Sequence, residues 1–127
     1  MNVYDMYVSS IFTVIKVKHI HRKLYYCCGD NMPLFVVLGK WTQKRMETIK
    51  DLPENVKAGR KVFESYGVKF HNMVFTLGQY DLVAIGEAPS AEVMTKALLN
   101  WGSEGLLRTE TLTAFTPKEM SSLVQDL

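Results

Sequence analysis

The sequence has few of the residue combinations from which reactive or metal-binding centres are built. Its two cysteines are the neighbours Cys27 and Cys28, which are poorly placed for a disulfide, and no Cys-x-x-Cys or Cys/His ligand spacing occurs. A phosphate-binding glycine loop and a Ser-His-Asp order are also missing. His19 and His21 would share one face of a strand, but without a third ligand nearby we interpret them as part of a strand or tail. We therefore expect no metal, no cofactor and a reducing, cytoplasmic setting.

Long apolar runs and strongly basic segments are scarce too. The apolar residues around Ile11 are interrupted by Lys16 and Lys18, far short of the roughly 20 residues that a membrane helix needs. They also lack the flanks of a signal peptide. Four lysines and arginines stand against two aspartates before Met32, and eleven residues of each sign follow from there. This balance leaves no stripe for a phosphate backbone, so nucleic-acid and membrane partners are disfavoured.

The length of 127 residues is typical of one domain, but the first part does not continue the pattern of the rest. We predict an N-terminal extension over residues 1–31 and a folded domain over residues 32–127. The extension would be an added β-strand or a disordered tail. A further interpretation, which we favour, is that translation begins at Met32, because Gly29-Asp30 is encoded by GGN-GAY, which resembles a ribosome-binding sequence.

The first half of the folded domain predicts a strand followed by a helix. Residues 33–39 are a short apolar run typical of a buried strand. Thr42 is a predicted N-cap, and the helix after it would carry Met46, Ile49 and Leu52 on one apolar face.

The second half predicts a hairpin, a helix and an edge strand. Strands over residues 68–77 and 80–87 flank Gly78-Gln79, which fits a two-residue type II′ turn. A capped helix follows, and residues 106–115 alternate as an edge strand. A capping box at Thr116 opens a short C-terminal helix.

This element order predicts both a fold and an assembly. The order βαββαβ is that of the ferredoxin-like plait, an α+β fold with a four-stranded antiparallel sheet. Right-handed crossovers put the first and third strands in its centre. Both strands are apolar on both faces, whereas two helices cover only one face. We therefore predict that a second copy of the chain covers the other face, giving a homodimer or a higher oligomer.

The predicted turn also assigns side chains to the two faces. In its register His71 lies opposite Gly86. Asp81, Asn72 and Phe70 then face the space between subunits, whereas His71 faces the helices. A few polar groups on an otherwise apolar surface are typical of a ligand pocket, which we expect at the turn end of the hairpin.

Four residues form the predicted ligand-binding set: Tyr80, Asp81, Asn72 and Arg108. Asp81 is either an acid/base group enclosed between subunits or, as we favour, a hairpin carboxylate hydrogen-bonded to Thr76 or to a turn amide. Tyr80 would line the pocket mouth or pack against a cross-strand neighbour. Arg108 would neutralise a ligand carboxylate or pair at the edge strand.

His71 and Asp81 are the candidates for catalysis. His71 is the only histidine after Met32 and would supply an imidazole base. The spacing of the sequence fixes no carboxylate partner for it, so we assign no catalytic residue.

Three motifs carry a resemblance to a known family. They are Gly78-Gln79-Tyr80-Asp81-Leu82-Val83, Glu87-Ala88-Pro89 and Arg108-Thr109-x-Thr111-x-x-Ala114-Phe115. In these motifs the chain resembles the GYD-domain proteins of the dimeric α/β-barrel superfamily, from Pro33 to about Glu119. Two positions depart from the family pattern: Gln79 separates Gly78 from Tyr80, and Leu52 precedes Pro53.

The resemblance implies a dimeric ferredoxin-like architecture and supplies no established reaction. Our leading interpretation is a protein that binds a small molecule in the space between two sheets. One alternative is a cofactor-independent enzyme, since monooxygenases and isomerases occur in the superfamily. Another is a stand-alone sensing module, because the hairpin also resembles the effector-binding domain of leucine-responsive regulators. In a purely structural alternative, side chains fill the space between the sheets.

Overall fold

A computed structural model of the chain describes residues 32–127. The predicted extension over residues 1–31, including the alternative of an added strand and His19-x-His21, lies outside the described residues. The elements in chain order are β1 (Leu34–Trp41), α1 (Gln43–Glu47), a 3₁₀ turn (Ile49–Asp51), α2 (Leu52–Ser65), β2 (Lys69–Phe75), β3 (Leu82–Glu87), α3 (Ala91–Gly102), β4 (Leu107–Ala114) and α4 (Pro117–Gln125).

The four strands form one antiparallel sheet in the order β2-β3-β1-β4. The first and third strands occupy its centre and the second and fourth its edges. The α+β ferredoxin-like plait and the short C-terminal helix are thus confirmed. Strand β1 pairs with both β3 and β4: Val37 lies between Ala84 on one side and Thr111 on the other.

Helices α2 and α3 cover one face of the sheet and enclose the core. Its buried members are Phe35, Val37, Phe63, Val68, Ala84, Ala88, Met94 and Ala97. Phe63 is central, because its ring meets Phe70 edge-on with centroids 4.8 Å apart and Trp101 with centroids 5.2 Å apart. Such edge-to-face geometry is favoured by aromatic quadrupoles.

Helix ends follow the local signals of the sequence. The Thr42 side chain accepts a hydrogen bond from the Arg45 amide. Ser90 starts α3 in the same way, and Thr116 and Glu119 form the complete capping box of α4. These caps satisfy amides that the helix itself leaves unpaired, and they need no distant part of the chain.

The predicted apolar face of the first helix is wrong by one residue. Met46 is 51 % exposed, whereas Arg45 is buried at 3 % exposure. The helix is interrupted after Glu47, and the 3₁₀ turn precedes α2. Because a 3₁₀ turn has about 3.0 residues per turn and an α-helix 3.6, a continuous helical period does not run from Thr42 through this segment.

A β-bulge corrects the predicted register of the hairpin. Phe75 to Asn72 pair with Leu82 to Ile85 as expected, but Phe70 rather than His71 lies opposite Gly86. His71 is the extra residue of the bulge. The side-chain faces of these two residues are therefore exchanged: Phe70 packs on Phe63 in the core, and His71 lies against Glu87.

The turn of the hairpin is also looser than predicted. Residues 76–81 lie between the strands, and the Thr76 amide donates to the Asp81 carbonyl at 3.0 Å. The Thr76 hydroxyl donates to the Tyr80 carbonyl at 2.6 Å, so a side chain replaces the close backbone pairing of a two-residue turn. Gly78 has a φ of +151°, well away from the positive φ near 60° of a type II′ turn.

The sheet face turned away from α2 and α3, called the open face below, is aliphatic in its middle. Residues 34, 36 and 38 of β1 and Val83 of β3 are half-buried there. Ile85, Val74 and Leu112 are 37 %, 47 % and 45 % exposed. All four strands therefore contribute to an apolar surface that nothing in the described residues covers.

Candidate functional site

Asp81 joins the ends of three strands. Its carboxylate accepts a hydrogen bond from the Trp41 amide at 2.8 Å, and its own amide donates to the Gly39 carbonyl at 2.8 Å. Its carbonyl accepts from Thr76 on the β2 side. The carboxylate is bound to a main-chain amide, as we favoured, but that amide belongs to β1 rather than to the turn. These bonds fasten the hairpin to the end of the central strand.

Tyr80 is the centre of a polar cluster at the turn end of the open face. Its hydroxyl donates to Glu110 Oε2 at 2.7 Å, and Lys40 Nζ lies 5.1 Å from the centre of its ring. The pKa of Tyr80 lies above its ordinary value of 10.0, first because of the hydrogen bond to Glu110, then because of desolvation and the charge of Glu110. A polar group of a ligand can therefore bind at this cluster, next to the apolar middle of the open face.

The predicted ligand-binding set does not meet at one point. Arg108 pairs with Lys40 in the β1–β4 ladder, beside the Tyr80 cluster. Asn72 pairs with Ile85 from the opposite edge strand. Three strand spacings separate the two edges, a distance of about 14 Å. A small molecule can therefore contact Tyr80 and Arg108 together, or Asn72, but does not span both groups.

His71 has a carboxylate partner that the sequence did not reveal. Its Nε2 lies 3.2 Å from Glu87 Oε1, and the two side chains are 52 % and 35 % exposed. A carboxylate in such a contact can fix the orientation of the imidazole ring. The β-bulge brings His71 to the same face as Glu87. In the predicted register His71 lay on the opposite face, toward the helices.

A second site candidate lies between the sheet and the helices, where sequence reasoning did not expect one. A cavity of about 20 Å³ is lined by Trp41, Arg45, Leu52, Val56, Gly59, Arg60, Phe63, Met73, Phe75, Leu82, Trp101 and Leu107. This lining, called the Arg45 cavity below, contains two arginines and no acidic residue. Its volume is enough for about one water molecule or one small polar group.

Arg45 is the most unusual side chain of this cavity. It is buried, and among residues 32–127 its Nη1 has no hydrogen-bond partner. An unpaired buried charge costs several kcal/mol, and a buried polar group without a partner calls for an explanation. Helical spacing does not reveal it, because the 3₁₀ turn after α1 interrupts the helical period between Arg45 and Leu52.

Within residues 32–127, His, Cys, Asp and Glu side chains form no group of three or more that could hold a metal ion. None of the helices described there is long and apolar enough to cross a bilayer.

The element order and the four-stranded antiparallel sheet place this chain among the small proteins with a ferredoxin-like fold. Residues 35–124 match the GYD domain family, and the chain belongs to that family. It is similar to the glutamine synthetase and cystathionine beta-lyase binding protein of Thermus thermophilus, with 36 % identity over 84 residues. The match covers 65 % of this chain and 88 % of that protein. No solved structure matches the chain significantly.

Proposed function

We propose that this chain is a homodimeric protein-binding module whose partners are metabolic enzymes. The observation that carries the proposal is the similarity to the Thermus protein, whose name states that it binds glutamine synthetase and cystathionine beta-lyase. The match extends over 88 % of that protein, so it includes nearly all of the relative's own chain. A binding role also agrees with the exposed apolar residues of the open face.

The open face supports the homodimer. Ile85, Val74 and Leu112 are exposed on it, together with the half-buried aliphatic residues of β1. A contiguous apolar surface of this kind marks an interaction site. A second copy of the same sheet is the simplest complement, since a two-fold interface uses the same surface on both subunits.

A second candidate function is the binding of a small molecule between the two sheets. The observation that favours it is the Tyr80 cluster, in which a hydroxyl, a carboxylate and an ammonium group meet at the rim of the apolar face. In a dimer through the open face, this cluster would border the space between subunits. A ligand there would contact the Tyr80 cluster with a polar group and the aliphatic residues with the rest of its surface.

The test uses the full chain and two purified enzymes, the glutamine synthetase and the cystathionine β-lyase of the organism that encodes it. We expect saturable binding to at least one enzyme in biolayer interferometry, and co-elution of the complex in size-exclusion chromatography. The Thermus protein with its own enzymes is the positive control, and an unrelated enzyme of similar mass is the negative control. Absence of binding at tens of micromolar, when the positive control binds, would contradict the proposal.

A further inference from the structure

The Arg45 cavity holds a positive charge whose counter-ion is missing from the described chain. Arg45 is 3 % exposed, and no residue among 32–127 accepts a hydrogen bond from its Nη1. The His71–Glu87 ion pair does not involve Arg45 and lies on the open face. An anion from outside residues 32–127 would stabilise such a buried cation.

The backbone around Arg45 is held in place independently of any ligand. The Arg45 amide donates to Thr42 Oγ1, and the Thr42 hydroxyl donates to the Gly105 carbonyl at 2.7 Å. The preceding helical residue, Lys44, donates from its Nζ to the Glu104 carbonyl at 2.9 Å. Helix α1 is thereby tied to the loop before β4. A guanidinium on such a fixed segment loses little conformational freedom when it binds.

The other residues that line the cavity, and its volume, indicate which kind of anion would bind. Trp41, Phe75 and Trp101 line the cavity together with aliphatic side chains, and Arg60 is the second cation. The rings of Trp41 and Phe75 have centroids 6.1 Å apart. A cavity of about 20 Å³ accepts a group of about the size of one water molecule, so a large anion does not fit inside it. The planar fork of a guanidinium matches the two oxygens of a carboxylate.

We propose that Arg45 binds the carboxylate group of a small organic acid at this cavity. The cavity lies between the sheet and the helices α2 and α3, so this site is separate from the open face and from the proposed dimer. The inference goes beyond enzyme binding and does not depend on it.

The experiment measures the thermal midpoint of the full chain, and binding by calorimetry, with sodium acetate and sodium propionate as probes. Sodium chloride at equal ionic strength is the reference salt. We expect a saturable rise of the midpoint with both acids and a smaller effect of chloride.

Arg45→Met should lower the affinity for acetate at least tenfold. Arg45→Lys, which keeps the charge and loses the planar fork, should lower it to an intermediate degree. Lys96→Met is the matched control, an exposed cation on α3 outside the cavity lining, and should bind acetate like the wild type.

The thermal stability of Arg45→Met without added acid shows whether Arg45 stabilises the fold or serves to bind a ligand. Without added acid, Arg45→Met should unfold at the same temperature as the wild type or above it, because it removes an unpaired buried charge. Equal stabilisation by chloride would overturn the assignment to carboxylates. Absence of acetate and propionate binding to the wild type, or unchanged acetate binding in Arg45→Met, would overturn the site. Dissociation of the dimer by Arg45→Met would also overturn it, since the partner of Arg45 would then be a carboxylate of the second subunit.

Discussion

The carboxylate of Asp81 accepts a hydrogen bond from the amide of Trp41 across 40 positions of sequence, at 2.8 Å. This bond continues the pairing of β1 and β3 beyond the last backbone pair, Gly39 with Leu82. Asp81 thus acts as a clamp between the central strand and the hairpin, and its effect should be seen first in stability.

Replacement of Asp81 tests this clamp. Asp81→Ala leaves the Trp41 amide without its acceptor and should lower the free energy of unfolding by about 1–3 kcal/mol. Asp81→Asn keeps an acceptor oxygen and should cost less than Asp81→Ala. Urea denaturation measures both. Asp51→Ala is the control, because Asp51 is exposed and its side chain makes no cap hydrogen bond. Equal stability of the wild type and Asp81→Ala would contradict the clamp.

The ionisation of Tyr80 tests the cluster on the open face. Its raised pKa means that the folded protein favours the neutral phenol. This contribution to stability is complete below the unfolded pKa near 10 and disappears as pH rises through the higher folded pKa. Difference absorbance titration of the wild type against Tyr80→Phe should show a transition above pH 10, and Glu110→Gln should move it down. An unchanged transition in Glu110→Gln would disprove the coupling.

Gly86 lies where β3 has no room for a side chain beside β2. A Cβ added there would lie 2.6 Å from Phe70 Cδ1 and 2.7 Å from the Lys69 carbonyl oxygen. The second atom is backbone, which does not move aside easily, so Gly86→Ala should destabilise the protein by about 1–3 kcal/mol or more. Gly102→Ala is the matched control, because its nearest neighbour would be 4.0 Å away. Thermal unfolding that ranks the two variants alike would contradict this account.

The dimer is tested by a charge on the open face. We expect light scattering to show a dimer at micromolar concentration. Ile85→Asp should dissociate it, because an unpaired carboxylate would be buried in the interface, while circular dichroism stays unchanged. Leu99→Asp is the control, since Leu99 is 70 % exposed on α3, on the other side of the sheet. A wild-type monomer at these concentrations would exclude the proposed assembly.

The N-terminal extension leads to one more prediction. A chain that begins at Met32 should fold with little change in its thermal midpoint, because the family match begins only at residue 35. A large loss of thermal stability would show that the extension takes part in the fold.

The helix caps and the topology of the sheet were predictable from the sequence, whereas the β-bulge and the long-range side-chain contacts were not. Thr42, Ser90 and Thr116 were predictable as caps because each bonds to an amide three residues ahead. The bulge at His71 was not, because a strand with one extra residue has the same composition as a regular strand. The burial of Arg45 depended on a 3₁₀ turn that interrupts the helix period. The partners Trp41 for Asp81 and Glu110 for Tyr80 lie 40 and 30 positions away, where spacing gives no information.

The central position of β1 has a consequence for the synthesis of the protein. Leu34 pairs with Ala114 in β4, so the strand made first waits for a partner made about 80 residues later. At about 5–20 residues per second, translation of that interval takes about 4–16 s. During this time at least one edge of this apolar strand is unpaired and accessible to neighbouring nascent chains. We therefore expect this small protein to associate with ribosome-bound chaperones for longer than a helical protein of the same size, whose contacts are local.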